Sequence, residues 1–277
     1  MRFLTTTKVL ARTGIVLVGI TLLTSVSIDA TDSFRNSQSA LSIIARNLTA
    51  RSCPLGTSEM VSNDRTLCVD SYEAGVGSGC PVSSPQSDID TAANANTAEC
   101  KPISVAGTLP WRFVTLIQAD QMCARAGKRL LTAFEWYTAA RGTPDNKTTC
   151  GVTGTLEPSG AFSHCKSGIG AFDMIGNVWE LVSDLVIDGA VKTEKLPVTG
   201  YVTAVTPDGL PMATAAAANV IYNKDYFWNN DAASGTFAII RGGYYGSGED
   251  GGMYSSHTDI PQNFSGVALG FRCVMVL

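Results

Sequence analysis

The sequence predicts an α+β fold with much irregular backbone. Two capped helical patterns lie between residues 115 and 142. After residue 150 the long patterns stop, and short β-prone runs alternate with glycine and turn residues. Eight cysteines are available to brace the loops.

Leu67-Cys-Val-Asp-Ser-Tyr-Glu73 alternates well enough for a strand. Residues 75–108 are rich in Gly, Ser, Pro, Ala, Asn and Thr and read as a long surface excursion pinned by Cys80 and Cys100. Thr115 caps a helix through Ala126, with Leu116, Ile117, Ala119, Cys123 and Ala126 on its apolar side and Gly127 as the stop. Thr132-Ala-Phe-Glu135 is a capping box. That helix runs to Arg141 and should turn Trp136, Ala139 and Ala140 inward. Phe237–Arg241 and Val267–Val276 are the clearest later strands. No repeat of solenoid period is visible.

The chain has 277 residues, 45% hydrophobic and only 16% charged, which suffices for a sizeable core. Net charge is −4, and no basic stripe is present, which argues against nucleic acid as the partner. Arg2, Lys8 and Arg12 precede a charge-free apolar run, Thr13–Ile28. Residues 1–30 thus read as a signal peptide or an N-terminal membrane anchor, and both readings stay open. Either exports the rest, so the expected location is secreted or cell-surface; membrane contact comes only through this segment if it is uncleaved. Residues 31–52 read as a polar stalk, with the folded domain over 53–277. Asn47, Asn146 and Asn263 begin glycosylation sequons, whose use depends on the host.

Export makes disulfides the default state of Cys53, Cys68, Cys80, Cys100, Cys123, Cys150, Cys165 and Cys273. The expected pairs are Cys53–Cys68, Cys80–Cys100 and Cys150–Cys165 between sequence neighbours, and Cys123–Cys273 across a long loop. Spacing alone does not determine connectivity.

Between Arg241-Gly-Gly and Gly270-Phe-Arg-Cys273 the chain reads like a combining site: Tyr, Ser, Gly, Asp and His, with almost no aliphatic residue. Tyrosine gives broad amphipathic contact at low entropy cost, and Ser and Gly adapt to what they meet. No activated nucleophile is visible. The expected ligand-binding residues are Trp228, Asn229, Asn230, Tyr244, Tyr245, Ser247, Glu249, Asp250, Tyr254, Ser255, Ser256, His257 and Asp259, with Tyr244, Tyr245 and Tyr254 as anchors and both asparagines exposed.

Four blocks carry a resemblance: Leu67–Glu73; Ala124–Gly142, containing Ala-Gly-Lys-Arg-Leu and Glu135-Trp136; Phe172–Asp184, containing Gly176-Asn-Val-Trp-Glu180; and Arg241-Gly-Gly with Gly270-Phe-Arg-Cys273. In order and content they resemble the formylglycine-generating-enzyme (sulfatase-modifying factor) family, over roughly residues 60–277. The resemblance implies a C-type-lectin-like fold with two helices beside a small twisted antiparallel sheet, and a Cys123–Cys273 disulfide. It implies a calcium ion near Asn177 and Glu180, although two side chains are few for calcium's six to eight oxygens. No other cofactor is required. Oxidase members of the family are similar in carrying two copper-binding cysteines shortly after the Arg-Gly-Gly; residues 244–264 here contain none. Copper(I) wants soft thiolate ligands.

Within the family, the tail from Phe227-Trp-Asn-Asn onward resembles the variable proteins of diversity-generating retroelements. The resemblance implies that the set Tyr, Ser, Asp, Gly, His and Asn is a diversified surface. His164 reads as a surface residue beside Cys165, His257 as a contact, and Arg241 as a fork on loop carbonyls or a carboxylate. The expected function is therefore an exported, non-catalytic binding protein for a protein or cell-surface ligand. The alternatives are a formylglycine-generating oxidase and a structural cell-envelope protein.

Overall fold

Ala238, Ile239 and Ile240 are all buried, yet they face two different cores, because successive side chains of a strand point to opposite sides. They sit in β12 (Thr236–Arg241), near the middle of a nine-stranded sheet. Its order is β10 (Pro211–Ala215), β9 (Gly200–Val205), β11 (Tyr226–Trp228), β13 (Ser256–Pro261), β12, β6 (Trp179–Ile187), β7 (Ala190–Val191) and β8 (Glu194–Lys195), with β14 (Leu269–Phe271) joined to β6. The β11–β13 and β14–β6 contacts are parallel and the rest antiparallel, so the sheet is larger than expected and mixed. The structure, a computed structural model, describes residues 52–145, 149–152, 154–230 and 234–277. The N-terminal segment, the stalk up to residue 51, Asn47 and Asn146 lie outside the described residues.

A second sheet joins β1 (Thr57–Ser62), β2 (Arg65–Asp70), β15 (Cys273–Val276) and β5 (Arg129–Leu130). A two-stranded ribbon pairs β3 (Gly75–Val76) with β4 (Pro102–Ile103). The predicted Leu67–Glu73 strand is β2, ending at Asp70.

Three helices accompany the sheets. The excursion at 75–108 contains α1 (Asp88–Ala95), which the sequence reading missed. Ser87 caps it, Thr91, Asn94 and Ala95 are buried, and Asn94 exchanges two hydrogen bonds with the backbone of Val82. Its apolar face is too small to show as a periodic pattern. In α2 (Leu116–Arg125) the Thr115–Gln118 capping box starts the helix. Ile117 points to solvent, contrary to expectation, and Met122 takes the buried place. In α3 (Ala133–Ala140) the Thr132–Glu135 box is formed and Trp136, Ala139 and Ala140 are fully buried.

The helices belong to different cores. Ala133, Trp136 and Ala139 of α3 pack with Val182, Phe227 and Ile239 on one face of the main sheet. Leu116, Ala119 and Cys123 of α2 pack with Leu181, Ile240 and Phe271 on the other. Four disulfides, Cys53–Cys68, Cys80–Cys100, Cys123–Cys273 and Cys150–Cys165, involve all eight cysteines. Cys53–Leu277 forms one compact unit. The fold is α+β and disulfide-braced.

Candidate ligand-binding face

Phe227 separates Tyr226 from Trp228 in β11. Its ring is fully buried, so its two neighbours point out through the opposite face of the sheet. Register then builds a stripe. Tyr226 lies opposite Tyr201 on β9, and Trp228 opposite His257 on β13. The Tyr201 and Tyr226 rings meet edge to face at 4.9 Å, and Tyr226 and Trp228 tilt together at 4.9 Å. The His257 imidazole lies flat on Trp228 at 4.4 Å, with 3° between the planes. Trp179, at the start of β6, stands edge-on to both. Tyr244 lies 6.4 Å from Trp179 at 29°, and Tyr245 meets Tyr244 at 5.2 Å. Seven rings thus form one continuous cluster, six of them half-buried and Trp179 only 7% exposed beneath them, in arrangements that aromatic quadrupoles favour.

The turn carrying Tyr244 and Tyr245 is rigid for local reasons. Gly242 and Gly243 have φ of +93° and +87°, which residues with a Cβ rarely adopt. A Cβ on Gly242 would also sit 2.8 Å from the Met174 carbonyl. Arg241 is fully buried and stacks on Trp136 at 4.8 Å. It donates to the carbonyls of Asp208, Gly209 and Met253 and is the fork on loop carbonyls that the sequence suggested. Burial pulls its guanidinium down to about 10, with Tyr137 and nearby carboxylates opposing. It is a strut, not a contact residue.

Beside the stripe a groove of about 340 Å³ is lined by Trp179, Ile240, Tyr244, His257, Phe264 and Val267, among others. Phe264 and Val267 are 46% and 50% exposed at its rim. The His257 Nδ1 lies 3.4 Å from Asp259, and this contact, ahead of the opposing burial, holds the Asp259 carboxyl below its usual range.

The structure divides the expected contact residues. Trp228, Tyr244, Tyr245, His257 and Asp259 are half-buried and close together; Asn230 and Glu249 are exposed, and Glu249 pairs with Lys224. The others do not form one site. Asn229 is 9% exposed, not open to solvent: its amide donates to the Pro197 carbonyl and accepts from Thr258. Ser255 and Ser256 are fully buried, and the Ser255 hydroxyl donates to the Asp250 carbonyl. Ser247 accepts from the Tyr244 amide and shapes the turn, and Asp250 takes part in the same loop. Tyr254 belongs to the other side of the sheet, packed on Tyr137 and Tyr222. Burial, then Tyr137, pushes its phenol up to about 12. Composition treats all these residues alike; only strand phase separates them. Tyr201, Tyr226, Phe264 and Val267 were missed, and Trp179, only 7% exposed, is a core residue that also lines the groove. The alternation in Tyr226-Phe-Trp228 is the one signal that pointed outward.

The residues expected to hold calcium do not fit it. Both Glu180 oxygens receive the Arg272 guanidinium, and one also receives the Trp136 indole. The Asn177 oxygen accepts from the Glu157 amide, while its nitrogen donates to Glu73. Their oxygens are already used by the fold. Nor do the described residues offer a group of three or more His, Cys, Asp or Glu arranged for a metal. With every cysteine in a disulfide, no thiolate is available near the Arg-Gly-Gly turn.

No curated protein matches the chain. Among solved structures it is similar to the Major Tropism Determinant P3c Variant, at 14% identity, over 81% of this chain and 56% of that one, with a TM-score of 0.42. PvdO from Pseudomonas aeruginosa matches at 15% identity over 80% and 90%, with a TM-score of 0.43. Treponema denticola variable protein 1 matches at 12% over 80% and 92%, with a TM-score of 0.39. The chain spans about half the length of the tropism determinants. The model of the sulfatase-modifying factor enzyme 1-like domain covers residues 57–277, and the chain belongs to that family.

Proposed function

We propose that this is an exported, non-catalytic recognition protein whose binding face is the outer surface of the main sheet around Trp228, Tyr244, Tyr245 and His257. The carrying observation is the continuous ring surface, built on a turn that Arg241 and two left-handed glycines hold rigid. Pre-ordered aromatic side chains lose little entropy on binding. Four disulfides point to an oxidising compartment. Among the described residues no helix is long and apolar enough to cross a membrane. Diversification, if it operates in this chain, would alter the ligand only at positions whose side chains reach solvent, such as Tyr244, Tyr245, His257 and Asp259; Ser255 and Ser256 would instead disturb the core. A near-copy of the last coding segment beside a reverse-transcriptase gene tests that point.

The function is tested by selecting binders from a random-peptide display library on the full-length protein. A Tyr244→Ala/Tyr245→Ala variant should lose at least tenfold in affinity for them with its melting temperature within a few degrees. Tyr254→Ala should behave oppositely, costing about 1–3 kcal/mol of stability and little binding, because its ring packs against the core on the far side of the sheet. Binders indifferent to the double variant sink the proposal. So does aldehyde formation on a cysteine peptide by the copper-loaded protein.

A further inference from the structure

The ring surface alone suits several ligand classes; the groove beside it is more selective. Its lining includes one imidazole, His257, whose Nδ1 is turned to Asp259. No amide, carboxylate or guanidinium side chain lines it. The Arg112 guanidinium is turned to the Val267 carbonyl and Gln86 through its two terminal nitrogens. Part of the lining backbone is already paired: β14 pairs with β6, and the Leu269 amide donates to Gly266.

From this chemistry we infer that the groove receives one uncharged aromatic side chain of a protein partner. The inference rests on the recognition reading above and narrows its ligand. A sugar ring could stack on Trp179 or Tyr244, but only the Tyr244 hydroxyl, the Trp179 indole and the His257 imidazole are there to meet its several hydroxyls, and the rest would lose their water hydrogen bonds unreplaced. A charged side chain would be desolvated with no counter-ion facing it. A neutral ring meets neither cost. It finds the Trp179 and Tyr244 rings, 6.4 Å apart at 29°, and the aliphatic groups of Ile240 and Val267. At about 340 Å³ the groove is at the small end of ligand sites, which suits one ring better than an extended chain. Phe264 and Val267 stand half-exposed at its mouth, as side chains that a partner would cover.

The test titrates the full-length protein with N-acetylphenylalaninamide and, separately, with methyl β-glucopyranoside, observing the indole N–H resonances by NMR. The amide should shift Trp179 and Trp228 with a dissociation constant on the order of 1 mM, the range for a fragment of this size. Trp111 and Trp136 are fully buried and should stay still. Val267→Asp, a change at an exposed side chain, should weaken the amide at least tenfold while leaving the circular dichroism unchanged. A shift with the glucoside and none with the amide overturns the inference yet leaves a recognition face in place. Silence toward both probes, or a Val267→Asp protein that binds the amide normally, overturns it as well. Loss of the library-selected binders in the Tyr244→Ala/Tyr245→Ala variant is read separately and bears on the recognition proposal alone.

Discussion

At the scale of single residues, the most consequential group is Asp173, only 1% exposed. One carboxylate oxygen accepts from the Gly160 amide and the other has no hydrogen-bond partner. Burial lifts its pKa to about 6, helped by Glu180 and resisted by the Gly160 amide and Arg272. Glu73 beside it is pushed well above the carboxylate range by burial and by the charges of Asp173 and Glu180, against Arg272 and Ser159. Three buried carboxyls share one guanidinium, so protons are the remaining means of neutralising them. A folded pKa above the unfolded one adds stability that is complete below about pH 4 and lost as pH rises through about 6. Glu135 and Asp259 are shifted downward, so their stabilising contributions fade only at lower pH. Unfolding stability should therefore fall from pH 4.5 to 7.5, with Asp173 accounting for roughly 2 kcal/mol. Asp173→Asn suits the residue's φ of +54° and should flatten that slope. An unchanged slope in urea titrations across this range would remove Asp173 as the cause.

At the scale of elements, α3 shows how much a short helix owes to its first turn. It has eight residues, too few to be stable alone. Thr132 accepts from the Glu135 amide at 3.1 Å, Glu135 accepts from the Thr132 amide at 2.9 Å, and Asp184 of β6 accepts from the Ala133 amide at 2.6 Å. Arg129 grips Glu135 with two bonds of 2.6 Å. Two terminal amides are satisfied locally and a third by the sheet. Thr132→Ala should cost about 1 kcal/mol, or about 2–4 °C in melting temperature. No change in a thermal melt would mean that water or Asp184 replaces the cap.

At the scale of the whole molecule, Cys123–Cys273 ties α2 to the last strand across 150 residues, while Cys53–Cys68 closes only 15. Loop-closure entropy grows with loop length, so the long bridge restricts the unfolded chain more. The Cys123→Ser/Cys273→Ser protein should lose about 2–5 kcal/mol, and more than Cys53→Ser/Cys68→Ser. Equal losses in denaturant unfolding would show that native packing at the two bridges, not chain entropy, sets the cost.

The sequence by itself determined the local features. Thr115, Thr132 and Gly127 mark helix boundaries through backbone hydrogen bonds and left-handed φ, which need only neighbouring residues. The Arg-Gly-Gly and Gly-Phe-Arg-Cys blocks, with the paired Cys273, likewise carried the family. The tertiary structure decided which residues share a face. Tyr244 and Tyr254 are ten positions apart and chemically identical, yet strand phase and loop path put one on the outer ring surface and the other against Tyr137 in the opposite core. Tyr201 joins the face because β9 pairs with β11, and Glu180 loses its expected metal role because Arg272, 92 residues away, already holds both of its oxygens. These contacts depend on register between distant strands, which no local pattern in the chain records.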